Sequence, residues 1–357
     1  MPTVKNRIAY FDLLRLFASF SVVFMHTVSG SLYVGVADHV GWYLTTAATA
    51  LAFTAVPLFF MMSGYLLTAS ERTASVSYLL KTRLPRLLVP LAFWSLLVLV
   101  CQVWQYHTFD TELFLRKLLF SLQKPANVSY WFLFALLGIY LISPVLCVGL
   151  RGLDRQGEIF VLALILILKL RSVAMTLFPD FAERCLQFQV LDYLEFFGSH
   201  LSAFVLGWFL GKSEKRIPFS VLIPTALLTY SVIVVGTFVR SAASGCLVET
   251  FLSQDRGFEV LLAACLFLIA KQAKLPKRLE KPLAALAPHT FTVYLTHCIC
   301  LLLLQRRVEY TAASMLLLRS VVTYLIGLAL SFLCIRIPVL SFLTTGQPQL
   351  RRRRGGE

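Results

Sequence analysis

The sequence predicts an all-α fold: a polytopic membrane helical bundle of about ten transmembrane helices with both termini cytoplasmic. Three observations carry that prediction. Of the 357 residues 58% are hydrophobic and only 14% charged, at a mean hydropathy of +0.77, whereas a soluble chain carries about a quarter charged residues. The apolar residues gather in runs close to the ~20 that a helix needs to cross the hydrocarbon core, and lipid leaves no backbone group unsatisfied, so such runs are helices. Lys and Arg alternate in abundance between successive loops: 21 fall on the side of the N-terminus and 11 on the other, with Arg15 inside the first run. Cationic loops stay cytoplasmic, which places both ends of the chain there. The net charge of +15 is thereby a matter of orientation at a lipid bilayer, and nucleic acid is not an expected partner.

In chain order the first span covers 8–28. Lys5 and Arg7 precede it as they would a signal peptide, but the run is long, holds Asp12 and Arg15 and lacks a small-residue cleavage site, so it is read as retained. Further spans are expected at 46–69, 85–106, 130–149, 159–178, 196–211, 219–239, 258–270, 289–304 and 315–335. Lys169 and Arg171 interrupt the fifth, and the sixth and eighth are short for a perpendicular crossing. Pro57, Pro144 and Pro224 lie in or near spans, where neighbouring helices re-satisfy the carbonyls a proline frees. No composition shift or repeat divides the chain, so one membrane-embedded domain, 1–336, is expected with a basic cytoplasmic tail at 337–357. The eight cysteines sit mostly in apolar runs without a C-x-x-C or a histidine cluster, which reads as packing thiols and no metal site.

Ionisable groups inside a span cost about 2.5–3.5 kcal/mol each on insertion scales, so each is a site candidate. The first span carries three. Asp12 and Arg15 are a turn apart and can pair. Arg15 and His26 are eleven residues apart, about 20° beyond three full turns, so they share a face about 16 Å apart along the axis. The bland alternative is an arginine that snorkels and a histidine that bonds a neighbouring carbonyl. Three such groups on one otherwise apolar helix favour a polar track. An imidazole titrates near neutrality and can take and return a proton, the service that acyl transfer to a hydroxyl needs, while an arginine on the same track holds an anion.

Lys81-Thr82-Arg83-Leu84-Pro85-Arg86 stands where the third span begins. Pro85 suits a helix start, and Arg83 and Arg86 flank it so that both guanidinium groups can reach one anion at a helix N-terminus. The same composition is also that of ordinary cationic loops at lipid phosphate. In Val56-Pro57-Leu58-Phe59-Phe60-Met61-Met62-Ser63-Gly64-Tyr65-Leu66-Leu67 the Ser63-Gly64 pair admits a second backbone at close range. Ser63 has no adjacent base to make it a nucleophile. Trp104, Tyr106, His107, Tyr130 and Trp131 suit a sugar ring and equally suit a membrane interface. His200 and Glu259 are secondary candidates for an outward-facing site, and His289 and His297 read as structural.

These pieces in this order resemble the acyltransferase-3 family of integral membrane acyltransferases. Asp12-Leu13-Leu14-Arg15 to His26 matches that family's R-x10-H, Pro57 to Leu67 its PLFF-x-x-SGYLL stretch, and Arg83 to Arg86 its R-x-x-R. Leu122-Gln123-Lys124-Pro125, Trp131 to Ala135 and Ile139 to Pro144 look like the members that O-acetylate enterobacterial surface antigen, and Val293 to His297 resembles the penultimate-helix pattern. The likeness is strong through residue 146 and weak over 150–288. It implies transfer of an acyl group, usually acetyl from acetyl-CoA, to a hydroxyl of a surface polysaccharide or lipid-linked glycan precursor, by a multi-pass protein of the bacterial inner membrane. Arg15 and His26 would be the residues needed for activity, Arg83 and Arg86 would serve the CoA phosphates, no cofactor is permanently bound, and the partners are acetyl-CoA, the glycan or glycolipid acceptor and the bilayer.

A reading from another class is a transporter or flippase for an anionic or glycan substrate, with Arg15 and His26 on its pathway. Inverted repeats would favour it, and the sequence has none. A scaffold or receptor would leave the Arg15–His26 track without a purpose.

Overall fold

A computed structural model describes residues 8–33, 40–106, 110–121, 123–305 and 313–347. The tail Arg351–Arg354 and His107 lie outside the described residues. The apolar runs fold as helices, and there is no strand among the described residues.

Helix α1 (Ala9–Leu32) is the first run. The second is broken into α2 (Val40–Phe53) and α3 (Ala55–Thr68). Pro57 accounts for the break, since its ring would strike the carbonyl of Phe53 and it has no N–H to offer; Thr54 fills the gap, its hydroxyl donating to the Leu51 carbonyl at 2.7 Å. After the single turn α4 (Val76–Tyr78), residues Leu79–Arg83 wind as a wide turn in which the Leu84 N–H reaches back to the Leu79 carbonyl at 2.9 Å. Such turns relieve local conflict, here the one that Pro85 would cause with the Lys81 carbonyl. Helix α5 (Pro85–Tyr106) then starts at that proline, as the sequence leads one to expect.

The amphipathic α6 (Thr111–Phe120) is capped by Asp110, whose carboxylate accepts from the N–H groups of Glu112 and Leu113. Helices α7 (Trp131–Gly152), α8 (Arg155–Leu177) and α9 (Pro179–Cys185) follow, α8 capped by Asp154 through the Gly157 N–H at 2.8 Å. Helix α10 (Gln189–Lys212) bends by 70° between its Gln189–Glu195 and His200–Lys212 portions. Helix α11 (Phe219–Ser244) ends at Gly245, where φ is 65°. Then come α12 (Gly257–Gln272), α13 (Lys277–Leu286), α14 (Thr290–Gln305), α15 (Ala313–Arg336) and α16 (Pro338–Thr345).

Eight helices among the described residues are long and apolar enough to cross a membrane, or nine with the bent α10. The eighth expected span, 258–270, is α12, which has only 16 residues and is largely buried. The two segments that are short in sequence are thus the bent helix and the enclosed one. Helices α8 and α11 instead present rows of exposed apolar side chains, Phe160, Leu166 and Leu170 on one and Leu227, Val235 and Val239 on the other, as lipid contact requires. The chain is a multi-pass membrane protein.

The described residues group into two compact units, one drawn from within 8–74, 142–288 and 313–320, the other from within 75–141, 289–305 and 321–347. Within the first, α12 lies against α1, α3, α8, α10 and α11. Its tightest seam is α3 against α10: a methyl on Gly64 would lie 1.8 Å from the Phe204 carbonyl oxygen, and one on Gly207 2.1 Å from that of Met61. Ser63-Gly64 therefore does admit a second backbone. Lys169 and Arg171, the charges that interrupt α8, are buried and spent internally. Lys169 donates to the Asp255 carbonyl at 2.7 Å, and Arg171 pairs with Asp192 and, at 2.8 Å, with Glu195. In the second unit α5 packs on α14 and α16, and the wholly buried Tyr130 donates from its hydroxyl to the Leu295 carbonyl at 2.6 Å. Of the cysteines Cys147, Cys265, Cys298 and Cys300 are buried, while Cys185 and Cys246 are exposed and so are not packing thiols.

Candidate functional site

Each of the four residues singled out by sequence stands on a regular element. In the first unit, α1 carries Asp12, Arg15 and His26. Asp12 is buried and Arg15 about one-third exposed, and the guanidinium meets the carboxylate at 3.5 Å. The carboxylate sits in the first turn of α1, where the partial positive charge of the helix end favours it, and it holds the arginine one turn further in. His26 is half-buried on the same helix. With Arg15 and His26 about 16 Å apart along the axis, no direct contact joins them. One end of the track offers a cation braced by a carboxylate, and the other an imidazole flanked by the buried Met25 and Thr27.

In the second unit the wide turn before α5 sets Arg83, and the first turn of α5 sets Arg86. The Arg83 guanidinium carbon lies 5.5 Å from the centre of the Tyr78 ring, a cation–π contact that leaves its N–H groups available. Its Nε is buried and has no hydrogen-bond partner. A buried donor of this kind is costly when left unmade, and on a guanidinium it fits an arriving anion. The turn itself runs into α5 with the Leu84, Leu87 and Leu88 N–H groups already given to the Leu79 and Leu84 carbonyls, so the helix end expected from the sequence offers no free donors from these three.

One contributor to this turn lies far away in sequence. Gly346, just past α16, adopts φ 61°, and a methyl there would stand 2.4 Å from the Arg86 Cα and 2.5 Å from the Pro85 carbonyl oxygen. Both its left-handed backbone and this approach require glycine. The end of α16 thus rests directly on the backbone that carries Arg86. A lone glycine near the end of a chain gives no sequence signal of that.

The secondary candidates divide. His200 stacks on Phe60 across the α3–α10 seam with ring centres 5.1 Å apart. His289 shares a 2.9 Å hydrogen bond with the Ser331 hydroxyl, and His297 is fully buried with its Nδ1 on the Tyr294 carbonyl. Trp104 is exposed, whereas Tyr130 is enclosed and committed to Leu295, so it is not available to a sugar ring. Glu259 is fully buried and neither carboxyl oxygen has a hydrogen-bond partner.

Fold and geometry together define a helical membrane protein with an Arg–His track on its first helix and, in the turn before α5, an arginine whose buried Nε has no hydrogen-bond partner. The family model described as an acyltransferase domain matches residues 8–336, and the chain belongs to that family, acyltransferase-3. The match spans all four residues. Neither the curated proteins nor the solved structures contain a match.

Proposed function

We propose that this membrane acyltransferase moves an acetyl group from acetyl-CoA to a hydroxyl of a cell-surface polysaccharide or lipid-linked glycan precursor, in a bacterial inner membrane with both termini cytoplasmic. The observation that carries the reading is the family match over 8–336 together with Arg15 and His26 on one face of α1. His26 acts as the base. Its imidazole takes the proton of the acceptor hydroxyl as that oxygen attacks the thioester carbonyl. The tetrahedral intermediate collapses, the C–S bond breaks, and the imidazolium returns the proton to the departing thiolate. An imidazole suits both halves because its proton affinity lies near working pH. Arg15, oriented by Asp12, supplies positive charge to the track, and Arg83 and Arg86 take the CoA phosphates, a task suited to the planar five-donor guanidinium.

The resemblance read in Leu122–Pro125, Trp131–Ala135 and Ile139–Pro144 to members that O-acetylate enterobacterial surface antigen is what favours a polysaccharide acceptor. The test is to supply membranes containing the protein with acetyl-CoA labelled in the acetyl group, and in parallel with labelled succinyl-CoA, and to follow the label. Accumulation in a glycan or glycolipid from acetyl-CoA alone is the expected result. Label transferred only from succinyl-CoA would overturn the choice of donor, and glycan movement without thioester consumption would overturn the enzymatic reading in favour of transport.

A further inference from the structure

Glu259 is the third residue of α12, a position from which a glutamate ordinarily reaches back to the N–H of the residue preceding the helix. It does not do so here. The N–H of Arg256 is given to the Ser253 carbonyl at 3.2 Å, and both carboxyl oxygens of Glu259 are buried without a hydrogen-bond partner. The cations nearby in the chain and on α8 are engaged elsewhere. Arg256 donates to the Thr176 hydroxyl and the Thr250 carbonyl, Lys169 to the Asp255 carbonyl, and Arg171 to Asp192 and Glu195. A carboxyl group enclosed in this way is costly to the fold. Groups of that kind mark sites where a ligand supplies what the protein omits.

Its depth follows from contacts at the two ends of α1. Tyr33, at the end of α1, donates from its hydroxyl to Glu249 at 2.6 Å, and Tyr10 and Phe11, at the start of α1, meet Phe267 with ring centres 5.9 and 5.8 Å apart. α12 therefore runs antiparallel to α1. Glu259 precedes Phe267 by eight residues, about 12 Å along the axis, which brings it level with about Ala18 and Ser19 of α1. That level falls between Arg15 and His26. The same eight residues turn the helix by about 80° beyond two full turns, so Glu259 leaves α12 on the sector next to the one Phe267 gives to α1.

We infer that Glu259 is a substrate-binding residue, accepting a hydrogen bond from an uncharged N–H or O–H donor of a substrate held inside this unit between the levels of Arg15 and His26. The assignment rests on the acyl-CoA reading above. That chemistry has two sources in the reaction: the amide and hydroxyl groups of the pantetheine arm, and the hydroxyls of the acceptor.

The experiment uses the full chain in nanodiscs, as wild type, Glu259→Leu and Glu259→Gln. Binding of coenzyme A is compared with that of adenosine 3′,5′-bisphosphate, which has the phosphates but no arm, and label transfer from acetyl-CoA to glycolipid is followed in membranes. Leucine removes an unpartnered buried polar group at similar volume, so Glu259→Leu should melt no lower than wild type; a clearly lower melting temperature would mean that the carboxyl group serves the fold, and would overturn the assignment. If the arm is the donor, Glu259→Leu weakens coenzyme A by about tenfold or more and leaves adenosine 3′,5′-bisphosphate unchanged, while Glu259→Gln, which keeps an acceptor oxygen, loses about threefold or less. If the acceptor is the donor, coenzyme A binding holds and label transfer falls instead by about tenfold or more. Retention of both within about twofold in Glu259→Leu refutes the inference. A wild type that neither binds coenzyme A nor transfers label fails the acyl-CoA reading itself, visibly and before any variant is compared, and the role of Glu259 falls with it.

Discussion

Replacing Gly64 by alanine tests the α3–α10 seam on which the first unit is built. The added methyl would stand 1.8 Å from the Phe204 carbonyl oxygen, whereas ordinary contact begins at 3.4 Å, so the backbones must part by as much as 1.6 Å. Phe204 contributes backbone here, which cannot swing aside as a side chain would. Overpacking of this kind costs about 1–3 kcal/mol, against which alanine recovers about 0.5–1 kcal/mol of helix propensity. A net loss of about 1–2 kcal/mol is expected. Gly207→Ala presses on the same seam from α10, its methyl meeting the Met61 carbonyl oxygen at 2.1 Å. Once one alanine has parted the helices the second has less to do, so the double variant should lose less than the sum. Gly138→Ala, with nothing within 4 Å of the new methyl, is the control and should be neutral or slightly stabilising. Thermal unfolding in detergent can be followed by a thiol-reactive dye, because Cys147 and Cys265 of the same unit are buried and become reactive only on opening, with the exposed Cys185 and Cys246 and the partly exposed Cys101 and Cys334 changed to serine beforehand. A melting curve for Gly64→Ala that coincides with that of Gly138→Ala would refute the close approach.

Arg83→Ala should weaken coenzyme A and adenosine 3′,5′-bisphosphate alike by about 10–100-fold, the equivalent of one charge-assisted hydrogen bond of about 1.5–3 kcal/mol; calorimetry on the purified protein reads it, and unchanged affinity for both removes Arg83 from the phosphate site. Gly346→Ala acts on Arg86 through the backbone, so the KM for acetyl-CoA should rise several-fold with kcat little altered, and a fall in kcat at constant KM would contradict a positioning role. Outside the spans, Glu249 accepts the Tyr33 hydroxyl proton and holds that phenol up to about 12 from its usual 10.0. A proton bound more tightly in the folded state contributes stability that is fully present below pH 10 and is lost as pH rises through about 12. The absorbance difference between wild type and Tyr33→Phe should accordingly titrate near 12, and a midpoint at 10 would dissolve the pair.

Much of the first 90 residues was legible because its signals are local. The Asp12–Arg15 pair is a matter of helical spacing, the α5 start follows from what proline does to its neighbours, and Ser63-Gly64 announces a close approach wherever the partner lies. What stayed hidden depends on partners distant in the chain. Hydropathy measures the length of a run, so it could flag 196–211 and 258–270 as short but not distinguish a helix bent by 70° from one enclosed by five others. Lys169 and Arg171 interrupt a span in sequence and are satisfied in the fold by Asp255, Asp192 and Glu195. Tyr130 has the composition of an interfacial aromatic, yet the Leu295 carbonyl claims its hydroxyl. Gly346 and Glu259 gain their significance only from what stands, or fails to stand, beside them.

The central claim is that His26 handles the proton of acyl transfer, and single-turnover transfer of labelled acetyl from acetyl-CoA, wild type against His26→Ala, tests it most directly. General-base catalysis of this kind contributes about 10²–10⁴-fold, so the rate should fall by that factor while coenzyme A binding and melting temperature are unchanged. Transfer at the wild-type rate in His26→Ala would contradict the account.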